Sequence, residues 1–439
     1  MDLGRRTGDP MRILIAGGRV IDPANKRDAV LNVLIEDGRI AEVASPGTHP
    51  APAADRVLDA RGKVVCPGFV DLHVHLREPG REDMETIAAG TRAAARGGFT
   101  SVCCMANTTP VNDNQSVTDF IIDRARRDGA VHVYPIGAIS KGMNGEELAE
   151  IGELIGAGCV AISDDGKPVM NAELMRRALE YSTLFSVPVI QHAEDVHLTG
   201  KGVMHEGRVS TELGFKGIPA ASESVIVARD LLLAELTGGH YHVAHVSTAE
   251  AIQLVREAKM KGLRVTCEAA PHHFALSDEA VRNFDTNTKM SPPLRSHRHV
   301  EAVKAGLRDG TVDAIATDHA PHTIQDKEVE FDYAANGVIG LETAFGLTMS
   351  MLVEGEVLTL TQAIAHLTSE PARIFGLAKG TLSVGADADV TIVDPAREWV
   401  VDITKSASKS RNSPFHGWKL RGQVLATIVS GKIVWELQG

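Results

Sequence analysis

The middle of the chain alternates short apolar runs with amphipathic or alanine-rich stretches, and this alternation constrains the fold most. Helices are predicted over residues 84–96, 172–183, 222–236, 248–261 and 299–307. Eight runs have the length and composition of buried strands, and they cover residues 64–75, 99–106, 131–139, 159–163, 187–192, 240–246, 264–268 and 312–317. Eight strand signals in this order predict an α/β fold, namely a (β/α)₈ TIM-like barrel. An open doubly wound sheet is the alternative.

Both ends of the chain predict β-structure instead. Apolar runs lie at residues 12–15, 30–35 and 40–43, and Asp37-Gly38 between the last two is a hairpin signal. Similar runs return at residues 388–393, 424–429 and 432–435. Because neither end has enough strands for a stable sheet, we expect the two ends to join in one small β-sandwich domain.

These patterns predict four segments. Residues 1–10 are expected to be a frayed or disordered extension, and residues 11–63 the first part of the β-sandwich. Residues 64–377 are expected to form the metal-dependent catalytic barrel, and residues 378–439 the second part of the sandwich.

Composition excludes several classes of function. The formal net charge of -12 over 439 residues argues against a nucleic-acid partner, which favours a basic face. No apolar run reaches membrane-spanning length, so no membrane contact is expected. Most cysteines lie in apolar, strand-like runs, where a free cysteine is usually a small buried hydrophobe, so a reducing, cytoplasmic location is expected. The absence of a Cys-x-x-Cys pair argues against a thiolate zinc site. The five cysteines are Cys66, Cys103, Cys104, Cys159 and Cys267.

Side chains that bind metals follow five of the eight predicted strands, at the ends where barrels of this type carry their chemistry. His73 and His75 leave one face of the first strand, because strand side chains repeat with period two. Histidine and carboxylate ligands without thiolates favour Zn²⁺, although Mn²⁺, Co²⁺ or Fe²⁺ would accept the same set. The candidate ligands are His73, His75, Asp165, His192, His245 and Asp318.

The number of ions is left open between one and two. In a two-ion site Asp165 would bridge, because a carboxylate has two ligand oxygens. His73, His75 and Asp318 would then hold one ion, and His192 and His245 the other. With one ion, some of these side chains would only support the ligands. His272 and His273 near the seventh strand are not counted as ligands.

The chain resembles the class I dihydroorotases of the amidohydrolase superfamily from its eleventh residue almost to its end. The motifs that carry the resemblance are PGFVDLHVHLREPG at 67–80, MANTTP at 105–110, SDDG at 163–166, SPPLR at 291–295, ATDHAPH at 316–322 and NSPFHG at 412–417. The resemblance implies zinc-dependent, reversible cyclisation of N-carbamoyl-L-aspartate to (S)-dihydroorotate and water in pyrimidine biosynthesis. Zinc would be present as one or two ions per subunit.

The resemblance also assigns roles to individual residues. Arg77, Asn107 and His322 would hold the substrate, with Arg77 on its carboxylate, and a guanidinium matches a carboxylate with two parallel hydrogen bonds. Asp318 would both bind metal and shuttle the proton. The chain departs from many relatives at two positions. Asp165 stands where they carry a carboxylated lysine, and Ser291 stands where they often carry asparagine.

Other functions are weighed against this one. Another cyclic amidohydrolase, such as an allantoinase or hydantoinase, would not need a carboxylate contact from Arg77. A non-catalytic barrel that partners aspartate transcarbamoylase would have lost metal ligands, whereas this chain keeps six. A homodimer or an active complex with that enzyme stays open. Residues 321–340 lack periodicity and are a candidate lid or substrate loop, with disorder as the alternative.

Overall fold

The computed structural model describes residues 12–47 and 54–438, so the extension expected at residues 1–10 lies outside the described residues. The described residues form eighteen strands: β1 Arg12–Asp22, β2 Arg27–Glu36, β3 Arg39–Ala44, β4 Arg56–Asp59, β5 Val64–Pro67, β6 Phe69–Val74, β7 Phe99–Cys104, β8 His132–Pro135, β9 Ile162–Ser163, β10 Val189–Gln191, β11 Met204–His205, β12 Gly217–Ile218, β13 Tyr241–Val243, β14 Val265–Ala269, β15 Ala314–Ile315, β16 Val390–Val400, β17 Lys419–Val429 and β18 Lys432–Glu436.

Helices follow most of the inner strands, and several begin at a threonine or asparagine whose side chain accepts a hydrogen bond from the first helical turn, as Asn171 does. The α-helices of the described residues are α1 Ile87–Arg96, α2 Gln115–Asp128, α3 Ile151–Ala157, α4 Ala172–Ser182, α5 Val196–Thr199, α6 Arg208–Leu213, α7 Ala221–Thr237, α8 Ala249–Met260, α9 Pro271–Ala275, α10 His297–Asp309, α11 Ile324–Lys327, α12 Ala344–Leu347, α13 Leu360–Leu367 and α14 Ser369–Ile374. Among them, none is long and apolar enough to cross a membrane.

The two ends of the chain share one sheet. Its strands run in the order β18-β17-β16-β5-β1-β2-β3, with β4 beside β1. The predicted hairpin turn lies between β2 and β3, where Asp37 and Gly38 have φ values of 49° and 78°. The expectation that the ends join is therefore confirmed at the level of sheet pairing.

The prediction of one strand over residues 64–75 is wrong, because this run is divided between two sheets. Val64–Pro67 pairs with β16 in the end sheet, whereas Phe69–Val74 pairs with β7. Gly68 separates them and donates its N–H to the carbonyl of Asp389. A Cβ at Gly68 would lie 2.1 Å from the Thr100 hydroxyl oxygen, so only glycine fits where the chain crosses between the sheets.

The inner strands are parallel and form two sheets, β15-β14-β13-β10-β9 and β6-β7-β8. Each of the eight predicted runs overlaps one of these strands, although most strands are shorter than the runs. Two isolated parallel bridges lie at the sheet margins: Gly137 pairs with Ile162, and Val74 pairs with His319. These strands place their C-terminal ends on the same side of the molecule, as parallel pairing requires.

Apolar side chains explain why the inner strands are buried, with only β8 half-buried over three of its four residues. One cluster packs the strands against helices, as burial on both faces of a parallel sheet requires. A second cluster occupies the opposite face of the inner strands, and it includes Val70, Leu72, Cys103, Met105, Ile136, Ala161, Ile190, Ala244, Ala314 and Ala316. The site described next lies above this second cluster.

Candidate metal and substrate site

His73 and His75 lie together at the end of β6. The register between β6 and β7 shifts between Asp71 and Val74. Because Leu72 packs in the interior cluster, an unbroken two-residue alternation would turn His73 away from it. The shift instead brings both imidazoles to the same site, with ring centroids 5.3 Å apart. The two histidines therefore share a site as expected, but through an irregular strand end.

Asp165 is the centre of the site, because all four histidines surround its carboxylate. One carboxylate oxygen lies 3.2 Å from Nε2 of His73 and 3.4 Å from Nε2 of His75. The other lies 3.3 Å from Nε2 of His245 and 3.5 Å from Nδ1 of His192. The residues thus form two groups of potential metal ligands that share Asp165.

The chemistry of these groups fits metal ions. In each group the ligand atoms lie within 4.8 Å of one another. Nε2 of His73 is buried and makes no well-directed hydrogen bond, although it lies close to Asp165. Because buried polar atoms are almost always satisfied, this nitrogen indicates a missing partner such as an ion between ligand atoms. Nitrogen and carboxylate oxygen donors are those that Zn²⁺ accepts.

Asp318 completes the first group. One of its oxygens lies 3.2 Å from Nε2 of His75 and 3.5 Å from Nε2 of His73. Burial raises the pKa of Asp318, but the charge of His73 and a hydrogen bond from His75 outweigh it, so the pKa lies below its usual value. Asp318 has a φ of 47°, and His245 also has a positive φ, 29°. Such backbone strain concentrates at functional sites.

Hydrogen bonds outside the two groups orient the imidazoles. Nδ1 of His73 donates to Glu268 at 2.7 Å, and Nδ1 of His75 donates to Oδ1 of Asn107 at 2.9 Å. When the rings are neutral, as metal binding requires, each bond leaves an Nε2 lone pair facing the carboxylates. Sequence reasoning missed Glu268, and it assigned Asn107 to the substrate alone.

His192 presents Nδ1 to the site and its other ring nitrogen to two partners. Nε2 of His192 lies 3.4 Å from the Ser291 hydroxyl and 3.4 Å from a Glu194 oxygen. The side chain of Ser291 therefore supports a candidate ligand. Neither contact was visible in the sequence, because Ser291 is far from His192 along the chain and Glu194 carries no motif signal of its own.

A cavity of about 570 Å³ opens over the metal ligands, and the three residues predicted to hold substrate line it together. Arg77, with φ 62°, uses its Nε to donate to the Pro321 carbonyl at 3.2 Å. Within the described ranges it has no carboxylate at ion-pair distance, which excludes the surface ion pair as its role. Burial lowers the pKa of Arg77 to about 10, so the guanidinium is charged at neutral pH.

Asn107 and His322 face the same cavity. Nδ2 of Asn107 lies 3.3 Å from the position of a Cβ added to Gly166, which shows that the amide end reaches the residue after Asp165. Nε2 of His322 donates to the Asn336 carbonyl at 2.7 Å. Burial and the Arg77 charge lower the pKa of His322 to about 3, so its ring is neutral.

Residues 321–340 are ordered by specific contacts, which argues against disorder. They contain α11 and a parallel bridge from Val338 to His319. Lys327 lies beneath this loop and donates to the carbonyls of Thr286 at 2.9 Å and Ala335 at 2.7 Å. The loop carries Asn336 and Gly337 to the cavity wall, so it forms part of the candidate site.

Comparisons with known proteins agree with this geometry. A family model described as Dihydro-orotase-like matches residues 62–251, and one described as Amidohydrolase family matches residues 234–435. A dihydroorotase of Pelotomaculum thermopropionicum is 58% identical over 97% of this chain and 99% of its own length. A dihydroorotase of Syntrophus aciditrophicus is 54% identical over 97% of this chain and 100% of its own length. The chain belongs to the dihydroorotase family. It is therefore a cyclic amide hydrolase with a function in pyrimidine biosynthesis.

Solved structures extend the likeness of this dihydroorotase-family chain to the fold. The L-hydantoinase of Arthrobacter aurescens superposes with a TM-score of 0.87 at 24% identity, covering 97% of this chain and 96% of that chain. A D-hydantoinase of Bacillus sp. AR9 gives a TM-score of 0.83 at 25% identity, covering 97% and 95%. The arrangement of inner parallel strands beside a sheet built from both ends is thus shared with hydantoinases.

In this dihydroorotase-family chain, His272 and His273 lie outside the two ligand groups. Nε2 of His273 donates to the Pro292 carbonyl at 3.0 Å, which is a structural contact. Burial and the neighbouring His273 hold the pKa of His272 well below its usual value. The exclusion of both residues from the ligand set stays a prediction.

Proposed function

We propose that this protein catalyses the zinc-dependent, reversible conversion of N-carbamoyl-L-aspartate to (S)-dihydroorotate and water. The observation that carries the proposal is the pair of ligand groups that share Asp165 beneath a cavity lined by Arg77. The residues proposed to hold metal are His73, His75, Asp165, His192, His245 and Asp318.

Two ions per chain are proposed, because Asp165 offers a different oxygen to each group. His73, His75 and Asp318 would hold one ion, and His192 and His245 the other. When bound, such ions lower the pKa of water from about 15.7 towards roughly 7 and polarise a carbonyl oxygen. Zinc is favoured because the donors are imidazoles and carboxylates without thiolates.

Arg77 is proposed to hold the substrate carboxylate. Its Nε donates to the Pro321 carbonyl and Nη2 lies 3.5 Å from Nε2 of His322, so neither Nη atom has a carboxylate partner among the described residues. Asn107 and the neutral His322 would contact the remaining polar atoms of the ring. This placement orients the ring amide towards the ligand groups below, and a positioned substrate loses less entropy on reaction.

Asp318 is proposed to move the proton. In the hydrolytic direction, water adds to the ring carbonyl carbon, the ring C–N bond breaks, and the leaving nitrogen gains a proton. Asp318 is ionised and lies beside His75, so it would take the proton from water and deliver it to nitrogen. General acid–base transfer of this kind contributes roughly 10²- to 10⁴-fold.

We propose that the two inner sheets close into one (β/α)₈ barrel through the bridges at Gly137 and Val74, with a β-sandwich domain built from both ends. The boundary after the first sandwich segment is then best placed at Gly68. A reducing, cytoplasmic location is supported by five cysteines that are all unpaired and buried. A homodimer or a complex with aspartate transcarbamoylase stays a prediction.

Purified protein should hydrolyse dihydroorotate, a reaction measured by the loss of the ultraviolet absorbance of dihydroorotate. It should act far less on a hydantoin or on allantoin, which lack a matching carboxylate. Asp318→Asn should abolish turnover while the protein stays folded and keeps metal. Asp332→Asn, which removes an exposed acid at the wall of the same cavity, is the control and should retain turnover. Equal activity on a hydantoin, or full activity of Asp318→Asn, would contradict the proposal.

A further inference from the structure

A column of buried polar side chains lies beneath His73, on a strand face where barrels normally carry apolar residues. Glu268 and His242, the two members nearest the site, are 1% and 0% exposed. They stand on the neighbouring parallel strands β14 and β13, where His242 pairs in register with Thr266. Neither Glu268 nor His242 contacts the cavity. The proposed reaction leaves this column without a role.

For neutral imidazoles, the hydrogen bonds of the column have one consistent direction. Glu268 is an acceptor for two imidazoles, Nδ1 of His73 at 2.7 Å and Nε2 of His242 at 3.2 Å. Nδ1 of His242 must then accept, and the Thr266 hydroxyl lies 2.8 Å from it as the donor. The hydroxyl oxygen in turn accepts from Nε2 of His240 at 2.8 Å. Every partner is satisfied when Glu268 accepts on both oxygens.

This direction determines which nitrogen of His73 is free. Since Nδ1 of His73 carries the proton given to Glu268, Nε2 is the nitrogen with the lone pair whenever the ring is neutral, as metal binding requires, and that atom is the one beside Asp165. A glutamine at position 268 would keep the shape of the side chain but replace one acceptor oxygen by an amide NH₂ group, which is a donor. Either His73 or His242 would then face a donor, and the orientation of His73 would lose its support.

We propose that Glu268, held by His242, is a positioning residue that fixes the tautomer and ring orientation of His73 for metal binding. The inference rests on the proposed metal site. It predicts that Glu268 affects the ion held by His73 and His75, whereas the ion held by His192 and His245 is affected much less. Outer hydrogen-bond partners of metal-binding histidines typically change metal affinity by about 10- to 100-fold.

The test compares Glu268→Gln with wild-type holoprotein. Two quantities are measured: the zinc content per chain, and the zinc affinity by competition with a chelator. The variant should bind one of its two ions about 10- to 100-fold more weakly than the wild-type protein does. In the Co²⁺-loaded variant the visible absorption spectrum should change, and kcat should fall while KM is unchanged. Asp22→Asn is the matched control, because it removes a fully buried carboxylate in the end sheet and should leave the spectrum and zinc affinity unchanged.

The outcomes separate this inference from the proposed function. Wild-type protein that holds no metal would contradict the proposed function itself. Wild-type zinc affinity and an unchanged Co²⁺ spectrum in Glu268→Gln would overturn the positioning role alone. If Glu268→Gln does not fold, His242→Gln provides the test. It keeps Glu268 but removes the imidazole that holds it, and it should weaken one ion by up to about tenfold; an unchanged affinity would overturn the inference.

Discussion

Replacing Arg77 by methionine should weaken substrate binding strongly without changing metal content. The guanidinium donates from Nε to the Pro321 carbonyl, and neither Nη atom has a carboxylate partner among the residues that the structure describes, although Nη2 lies 3.5 Å from Nε2 of His322. Two charge-assisted hydrogen bonds of about 1.5–3 kcal/mol each would be lost, a total of at least about 3 kcal/mol. At about 1.4 kcal/mol per factor of ten, KM for N-carbamoyl-L-aspartate should rise by roughly 10²-fold or more.

The assay is steady-state cyclisation over a wide substrate range, with zinc content measured on the same samples. Arg77→Lys keeps the charge but cannot form two parallel bonds, so it should lose about one hydrogen bond, or roughly tenfold in KM. Lys201→Met is the control, because it removes another positive charge from the same cavity at an exposed position and should change KM little. Normal turnover by Arg77→Met at low substrate, or loss of zinc from that variant, would refute the reasoning.

Three further predictions follow from buried charges and thiols. Lys327→Met removes the donor to the carbonyls of Thr286 and Ala335. The variant should therefore lose about 1–3 kcal/mol of folding stability and be cleaved faster by proteases within residues 321–340. An unchanged melting curve and digestion pattern would contradict this. Because the substrate carboxylate needs protonated Arg77, KM should stay level below its pKa and rise as the pH passes about 10; a rise near neutral pH would assign the titration to another group. Burial raises the pKa of the Cys159 thiol to about 11, and all five cysteines are buried. The native protein should therefore resist thiol reagents until it is unfolded, and rapid labelling of the native protein would refute this.

The inner strands could be predicted because each is a short apolar run followed by a helical pattern. The same signal wrongly assigned residues 64–67 to an inner strand, because a buried strand has a similar apolar composition in either sheet. Only the crossing at Gly68, tight against Thr100, decides where this run divides. The sequence also could not reveal how β6 shifts its register before His73.

That the candidate ligands lie close together was predictable for a different reason. Asp165 and Asp318 follow strands whose C-terminal ends must meet, so residue type and position were enough. The supporting contacts join residues that are far apart in the sequence, such as Glu268 with His73 and Ser291 with His192. Such contacts depend on how the strands and loops lie next to one another in the folded chain, so no spacing of residues within one segment indicates them.

The central claim is that Asp165 lies between two metal ions. Anomalous diffraction from crystals of the zinc-loaded protein tests it most directly, together with metal analysis of Asp165→Asn. We expect two peaks per chain about 3.5–4 Å apart, one beside His73 and His75 and one beside His192 and His245, and loss of both in the variant. A single ion that does not contact Asp165, or two ions retained by Asp165→Asn, would contradict the account.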